Sequence, residues 1–143
     1  MQQRYKVAIL GDSSVGKSSI CRAMIGREAF KETYNPTIGM KIRICDVFDI
    51  ILDIWDMSGD PQHVEIVKNN LTNLDATIVV YTNETRDRVY SWVNLVSHLG
   101  KPIICVHNKR DVEILHQDVI NVSAKTGKGI DNLKQALYDK LHV

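Results

Sequence analysis

Gly11-Asp12-Ser13-Ser14-Val15-Gly16-Lys17-Ser18 sets two glycines, a lysine and a hydroxyl at the spacing G-x-x-x-x-G-K-[ST]. These residue types suit a polyphosphate. Gly11 and Gly16 let the backbone turn sharply and approach an anion with no Cβ in the way. Consecutive amides and a helix N-terminus then aim partial positive charge at it. Lys17 places a point charge between the outer phosphates, and the Ser18 hydroxyl is a ligand for Mg²⁺. Such a loop works only between a strand and a helix. Tyr5 to Leu10 is a nearly continuous apolar run, as in a central strand buried on both faces. Ser19 to Ile25 reads as the start of a helix, with Gly26 as its C-cap. This context argues against an ordinary Gly-containing loop.

A second cluster lies far along the chain. Asn108-Lys109-Arg110-Asp111 follows the apolar run Ile103 to Val106, and Ser123-Ala124-Lys125 follows Val119 to Val122. A carboxylate such as Asp111 accepts from the ring N–H and exocyclic amine of guanine together. Adenine has no such donor pair on that edge. Asn108 either bonds the other edge of the base or ties neighbouring loops together. The Lys109 stem can lie along the base face. An N–H from 123–125 can meet the base carbonyl. Alone, N-K-x-D reads as a polar turn; after a P-loop it points to a guanine nucleotide and away from an ATP-using P-loop enzyme.

The elements that position these motifs follow from periodicity. Lys41 to Cys45 alternates, with Ile42 and Ile44 on one face, and Val47 to Trp55 places Ile50, Leu52 and Ile54 on one face. Their close spacing predicts an antiparallel hairpin. Residues 27–40, with Pro36 and Gly39, read as a long loop. Asp56-Met57-Ser58-Gly59 ends the hairpin, and Pro61 to Asn70 reads as a short helix. Ala76 to Tyr81 is another buried strand. Val89, Trp92, Val93, Val96 and Leu99 have helical spacing before Gly100, and Ile130, Leu133, Leu137 and Leu141 form one face of a final helix. The expected fold is a three-layer, doubly wound, mainly parallel α/β sheet of six strands with one antiparallel hairpin. Ligands in such sheets bind at the carboxyl ends of strands, where all the motifs fall.

Length and composition narrow the class. At 143 residues the prior is one domain, 1–143. A net charge of +1 gives no global field for nucleic acid or an anionic membrane. Cys21, Cys45 and Cys105 lie in apolar segments and read as reduced core thiols of a cytoplasmic protein. The five histidines show no metal-ligand spacing. No apolar run approaches the length of a membrane span, and no signal peptide is expected.

With these residues in place, the chain resembles the Ras-like small GTPases, nearest to their Rab branch, from Tyr5 to Leu141. GDSSVGKSS looks like the Rab form of the P-loop, TYNPTIG like the first switch, WDMSG like the WDTAG of the second, and NKRD and SAK like the guanine motifs. The resemblance implies a switch that binds GTP or GDP with Mg²⁺ and hydrolyses GTP, in a branch associated with vesicle trafficking. It implies that Ser13, Ser14, Val15, Gly16, Lys17, Ser18 and Ser19 surround the phosphates. Phe30 then sits edge-on to the base, Tyr34 lies beside the nucleotide, and Asn108, Lys109, Asp111, Ser123, Ala124 and Lys125 form the base site. Ser18 and Thr37 would ligate Mg²⁺, with Asp56 acting through water, and the Gly59 amide would sense the γ-phosphate. Lys17, Thr37, Gly59 and Asp60 occupy the catalytic positions. Exchange factors, GTPase-activating proteins and effectors would read the two switches.

Three departures from the family pattern stand out. Asp60 occupies the place of the usual water-orienting Gln. An ionised carboxylate donates no hydrogen bond and repels the γ-phosphate, so slow hydrolysis is expected. Gln62 lies close by, but Pro61 restrains it. A non-hydrolysing GTP-binding interaction module is the alternative. Next, only 12 positions separate Asp111 from Ser123. A parallel crossover needs about a dozen residues, so the helix between the fifth and sixth strands is expected to be reduced or absent. The uncovered sheet face would then favour a partner or weak self-association of a monomer. Finally, Leu141-His142-Val143 carries no cysteine, so no lipid anchor is expected in the sequence as written.

Overall fold

In the computed structural model, which describes residues 3–26, 32–35 (as backbone), 40–109 and 118–141, one strand divides the core. Strand β1 (Gln3–Leu10) alternates its buried end between two faces. Val7 and Ile9 enter a cluster with Ile20, Met24, Leu52, Leu133 and Leu137. Ala8 and Leu10 enter another with Met57, Val67, Leu71, Leu74 and Val96. Successive side chains of a strand point to opposite faces, so an unbroken apolar run needs cover on both sides.

That cover consists of helices. Helices α1 (Lys17–Ile25) and α4 (Ile130–Leu141) lie on the first face and pack against each other. Helices α2 (Val64–Asn69) and α3 (Val89–Val96) supply Val67, Trp92, Leu95 and Val96 to the second. The stretch read as one helix through Leu99 is α3 flanked by 3₁₀ turns at Asn83–Arg88 and Ser97–Leu99, and another 3₁₀ turn, Pro61–His63, leads into α2.

The remaining strands are β2 (Glu32–Asn35), β3 (Met40–Val47), β4 (Ile50–Asp56), β5 (Ala76–Tyr81), β6 (Ile103–Asn108) and β7 (Ile120–Val122), in the order β2-β3-β4-β1-β5-β6-β7. The expected six strands are present, and Glu32–Asn35, inside the stretch read as loop, adds a seventh at the edge of the sheet. It pairs antiparallel with β3, which itself pairs antiparallel with β4; the other pairings are parallel. The hairpin between β3 and β4 turns through Phe48 and Asp49, with Phe48 at φ 51°. The expectation of a reduced helix before the last strand, and of the bare face that would follow, falls on 110–117, outside the described residues.

The inward face of β3 is a finding. Arg43, Cys45 and Val47 are buried, while Ile42 and Ile44 are only partly so. The register sets this choice: Cys45 pairs with Leu52 and Val47 with Ile50, so their side chains share the face already committed to α1. All three cysteines are free. Burial pushes the Cys21 thiol up to about 12 and the Cys45 thiol up to about 11.

Two outcomes follow. Leu137→Ala removes a fully buried side chain from the α4 contact and is expected to cost about 2–5 kcal/mol, read by urea unfolding; a loss below about 1 kcal/mol would contradict the packing. Between the ordinary thiol value of 9.0 and about 12, the unfolded chain loses the Cys21 proton that the folded chain keeps. Stability present below that window therefore falls as pH rises through it. Cys21→Ala is expected to flatten this alkaline limb, and an unchanged slope would contradict the assignment.

Candidate functional site

The loop between β1 and α1 is built to turn tightly. A Cβ on Gly11, at φ 154°, would lie 2.4 Å from the Val80 carbonyl oxygen. Ser14 has φ 71° and Gly16 φ 94°, the latter as N-cap of α1. The Lys17 ammonium donates to the Gly11 and Asp12 carbonyl oxygens at 2.9 Å each. Burial lowers its pKa, and the nearby Asp56 and Asp12 carboxylates oppose that shift. Trp92 Nε1 donates to the Asp12 carboxylate at 2.7 Å, and Arg88 pairs with its second oxygen. The loop is thus fastened to α3 and the turn before it through Asp12.

Asp56 ends β4, level with Ile9 of β1. Its Oδ2 accepts from the Ser18 hydroxyl at 2.7 Å and from Arg43 Nη1 at 2.5 Å. Gly59 packs against the loop so closely that a Cβ would stand 2.3 Å from the Ser13 nitrogen. These groups border a cavity of about 280 Å³ lined by Ser13, Lys17, Ser18, Lys41, Asp56 and Gly59, among others. Its oxygens fit Mg²⁺: a hydroxyl and a carboxylate are hard ligands, and this ion usually takes one or two protein groups and completes its shell with phosphate and water. No cluster of three or more His, Cys, Asp or Glu able to hold a metal exists among the described residues.

A larger cavity, about 550 Å³, opens on the other side of the loop. Ser14, Gly16 and Ser19 line one wall, and Asn108, Lys109, Ala124 and Lys125 the other. Asn108 joins the walls. Its Nδ2 donates to the Val15 carbonyl at 2.9 Å, and its Oδ1 accepts from the Ala124 N–H at 3.3 Å. Of the two roles left open for Asn108, the loop tie is the one seen. The Lys109 N–H bonds the Val122 carbonyl, and the Ser123 carbonyl accepts from the Gly127 N–H in the turn before α4.

Thus Ser13 to Ser19, Asp56, Gly59, Asn108, Lys109 and Ser123 to Lys125 gather at one end of the sheet. Phe30, Thr37 and Asp111, and the side chain of Tyr34, lie outside the described residues. Asp60 caps the 3₁₀ turn, accepting from the Gln62 N–H at 3.0 Å. The sequence reading missed Arg43, the Trp92 and Arg88 grip on Asp12, and the Ser58 Oγ to His63 Nδ1 contact of 2.8 Å. An arginine inside the alternating β3 was the available signal for the first. The others depend on distant pairs that no local pattern shows.

Comparison with known proteins gives a consistent answer. Residues 6–111 match the family described as Ras of Complex, Roc, domain of DAPkinase. The chain is 31% identical over 121 residues to the Ras and EF-hand domain-containing protein homolog of Mus musculus, covering 78% of this chain and 19% of that protein. It is 32% identical over 120 residues to a Probable Rab-related GTPase of Acanthamoeba polyphaga mimivirus, covering 76% and 55%. Against the Ras-related protein Rab-28 of Caenorhabditis elegans the figures are 24% over 133 residues, 83% and 52%. The chain therefore spans between a fifth and about half of the length of these relatives.

Asn108→Ala leaves the Val15 carbonyl and the Ala124 N–H without their partner. A loss of about 1–3 kcal/mol is expected in chemical unfolding. Faster amide hydrogen exchange is expected at Ala124 in particular. Unchanged protection there would contradict the tie.

Proposed function

Because the chain belongs to the Ras-like small GTPases, the family of the matching Roc domain, and to their Rab-like branch, we propose that it is a Mg²⁺-dependent guanine-nucleotide switch. The observation that carries this reading is the shared cavity between the P-loop wall and the Asn108-Lys109 wall, bridged by Asn108. One wall offers amides for phosphates, and the other offers groups for a purine.

Each residue then has a task. The amides of Ser13 to Ser19 bind the phosphates. Lys17, held by two carbonyl oxygens and poorly solvated, gains by turning to an outer phosphate oxygen. Ser18 and Thr37 would hold the metal, with Asp56 acting through water. When bound, Mg²⁺ neutralises charge on the outer phosphates. Asp111 reads the guanine donors, Phe30 and Tyr34 border the nucleotide, and Ala124 with its neighbours Ser123 and Lys125 closes the base site. The Gly59 amide responds to the γ-phosphate, so the segments 33–39 and 57–68 change with nucleotide state. Exchange factors, activating proteins and effectors in the cytoplasm read that change.

Hydrolysis is slow in this reading. Asp60 spends one carboxylate oxygen on the Gln62 N–H and offers no donor to a water. Its charge also opposes the negative charge of the transition state. This residue equally favours a second reading, a module that holds GTP and scarcely cleaves it. Single-turnover hydrolysis by the protein and by Asp60→Gln separates the two. The variant is expected to be faster by at least about tenfold, and equal rates would contradict the role given to Asp60. The nucleotide released by denaturing the purified protein is expected to be guanine-based; an adenine nucleotide would contradict the proposal.

A further inference from the structure

Ser58 stands directly before Gly59, and it lines the cavity of about 280 Å³ together with Lys17, Ser18, Lys41 and Asp56. Where the WDTAG motif has alanine, this chain therefore sets a hydroxyl at the site given above to the outer phosphates. The reading so far gives that hydroxyl no task. Its Oγ lies 2.8 Å from His63 Nδ1 and accepts from the Asp60 N–H at 3.2 Å. Both side chains are half-buried.

The hydrogen bonds can be counted. A serine oxygen carries one proton and two lone pairs. The Asp60 N–H occupies one lone pair. With His63 as its Nε2–H tautomer, the proton is directed to Nδ1, and the second lone pair is left for the cavity. A hydroxyl with an imidazole in hydrogen-bond reach is the signature of an activated nucleophile. The base is held in turn, since the His63 N–H donates to the Asp60 carbonyl at 2.9 Å. Ser18 lines the same cavity, but its proton goes to Asp56 and its oxygen is assigned to the metal. The competing nucleophile, water, is poorly served: the Asp60 carboxylate has no donor to orient it. Ser58 needs no such help, because the chain itself holds it beside the phosphate site.

We propose that Ser58 is a self-phosphorylation site, its Oγ attacking the γ-phosphorus of GTP bound to the same chain. The bond from Oγ to phosphorus forms. The bond from phosphorus to the β–γ bridging oxygen breaks, and that oxygen leaves on GDP. The Ser58 proton passes to His63 Nδ1, so atoms and charge balance with GTP as the co-reactant. The phosphate then stays in a cavity that Lys17 and Lys41 line, which suits its charge. The inference rests on the nucleotide-switch reading and adds a second acceptor for the group that hydrolysis gives to water.

The test incubates the full chain with Mg²⁺ and GTP radiolabelled at the γ-phosphate. Filter binding reads retained nucleotide, acid denaturation leaves covalent label alone, and mass spectrometry locates it. The natural sequence is expected to gain acid-stable label on Ser58, with a first-order rate constant independent of protein concentration. Ser58→Ala is expected to gain none there. His63→Ala is expected to be slower by at least about a hundredfold, the usual contribution of a general base. Retained GTP without covalent label on the natural sequence overturns this inference alone, and that arm decides the matter even if a variant does not fold. Label on another residue, a rate constant that rises with protein concentration, or an undiminished rate in folded His63→Ala overturns it too. A chain that retains no guanine nucleotide overturns the nucleotide-switch reading together with this one.

Discussion

The pocket depends on the clasp made by Asn108. It has two polar arms, and both are used: one reaches the Val15 carbonyl in the first loop, the other receives the Ala124 N–H before the last helix. Those three segments are far apart in the chain and meet only because β1, β5 and β6 run parallel and end level. Had β6 slipped by one residue, Asn108 would point to the opposite face, as side chains alternate along a strand. Register is therefore a functional quantity here. The buried apolar sets on both faces of β1 hold it, through the cost of exposing them.

Charge is distributed unevenly around that clasp. On the side of the larger cavity the described lining residues include Lys109 and Lys125, whose charges suit an anion. On the other side Asp56 gathers a hydroxyl and a guanidinium on one oxygen. Asp12, in the loop itself, accepts from Trp92 and pairs with Arg88, so the loop is fastened to α3 and the turn before it.

Much of this was legible in the residues. The alternation of apolar runs with helical spacing gave the layers, because a strand buried on both faces has a distinctive composition. Gly11 and Gly16 announced a tight loop, and the close approaches of their backbones to Val80 and Asn108 show why no other residue suits. What local pattern left out is equally specific. The seventh strand, Glu32–Asn35, has no apolar face of its own and exists by pairing with β3. The alternation of β3 singled out the face of Ile42 and Ile44, whereas the hairpin register turns Arg43, Cys45 and Val47 inward. Arg43 reads as a solvent-facing charge until its strand is seen to pass under α1. The residues expected to contact the base and metal from the first switch, Phe30 and Thr37, belong to the reading of the sequence alone, as does Asp111.

The central claim is that both walls of the larger cavity serve one guanine nucleotide. Calorimetric titration of nucleotide-free protein with GDP and then with ADP, each with Mg²⁺ present, tests it most directly. A site built to satisfy the donors of one base rejects an analogue lacking them strongly, so GDP is predicted to bind at least about a thousandfold more tightly than ADP. Equal affinity for the two, or no heat of binding with either, would contradict the account.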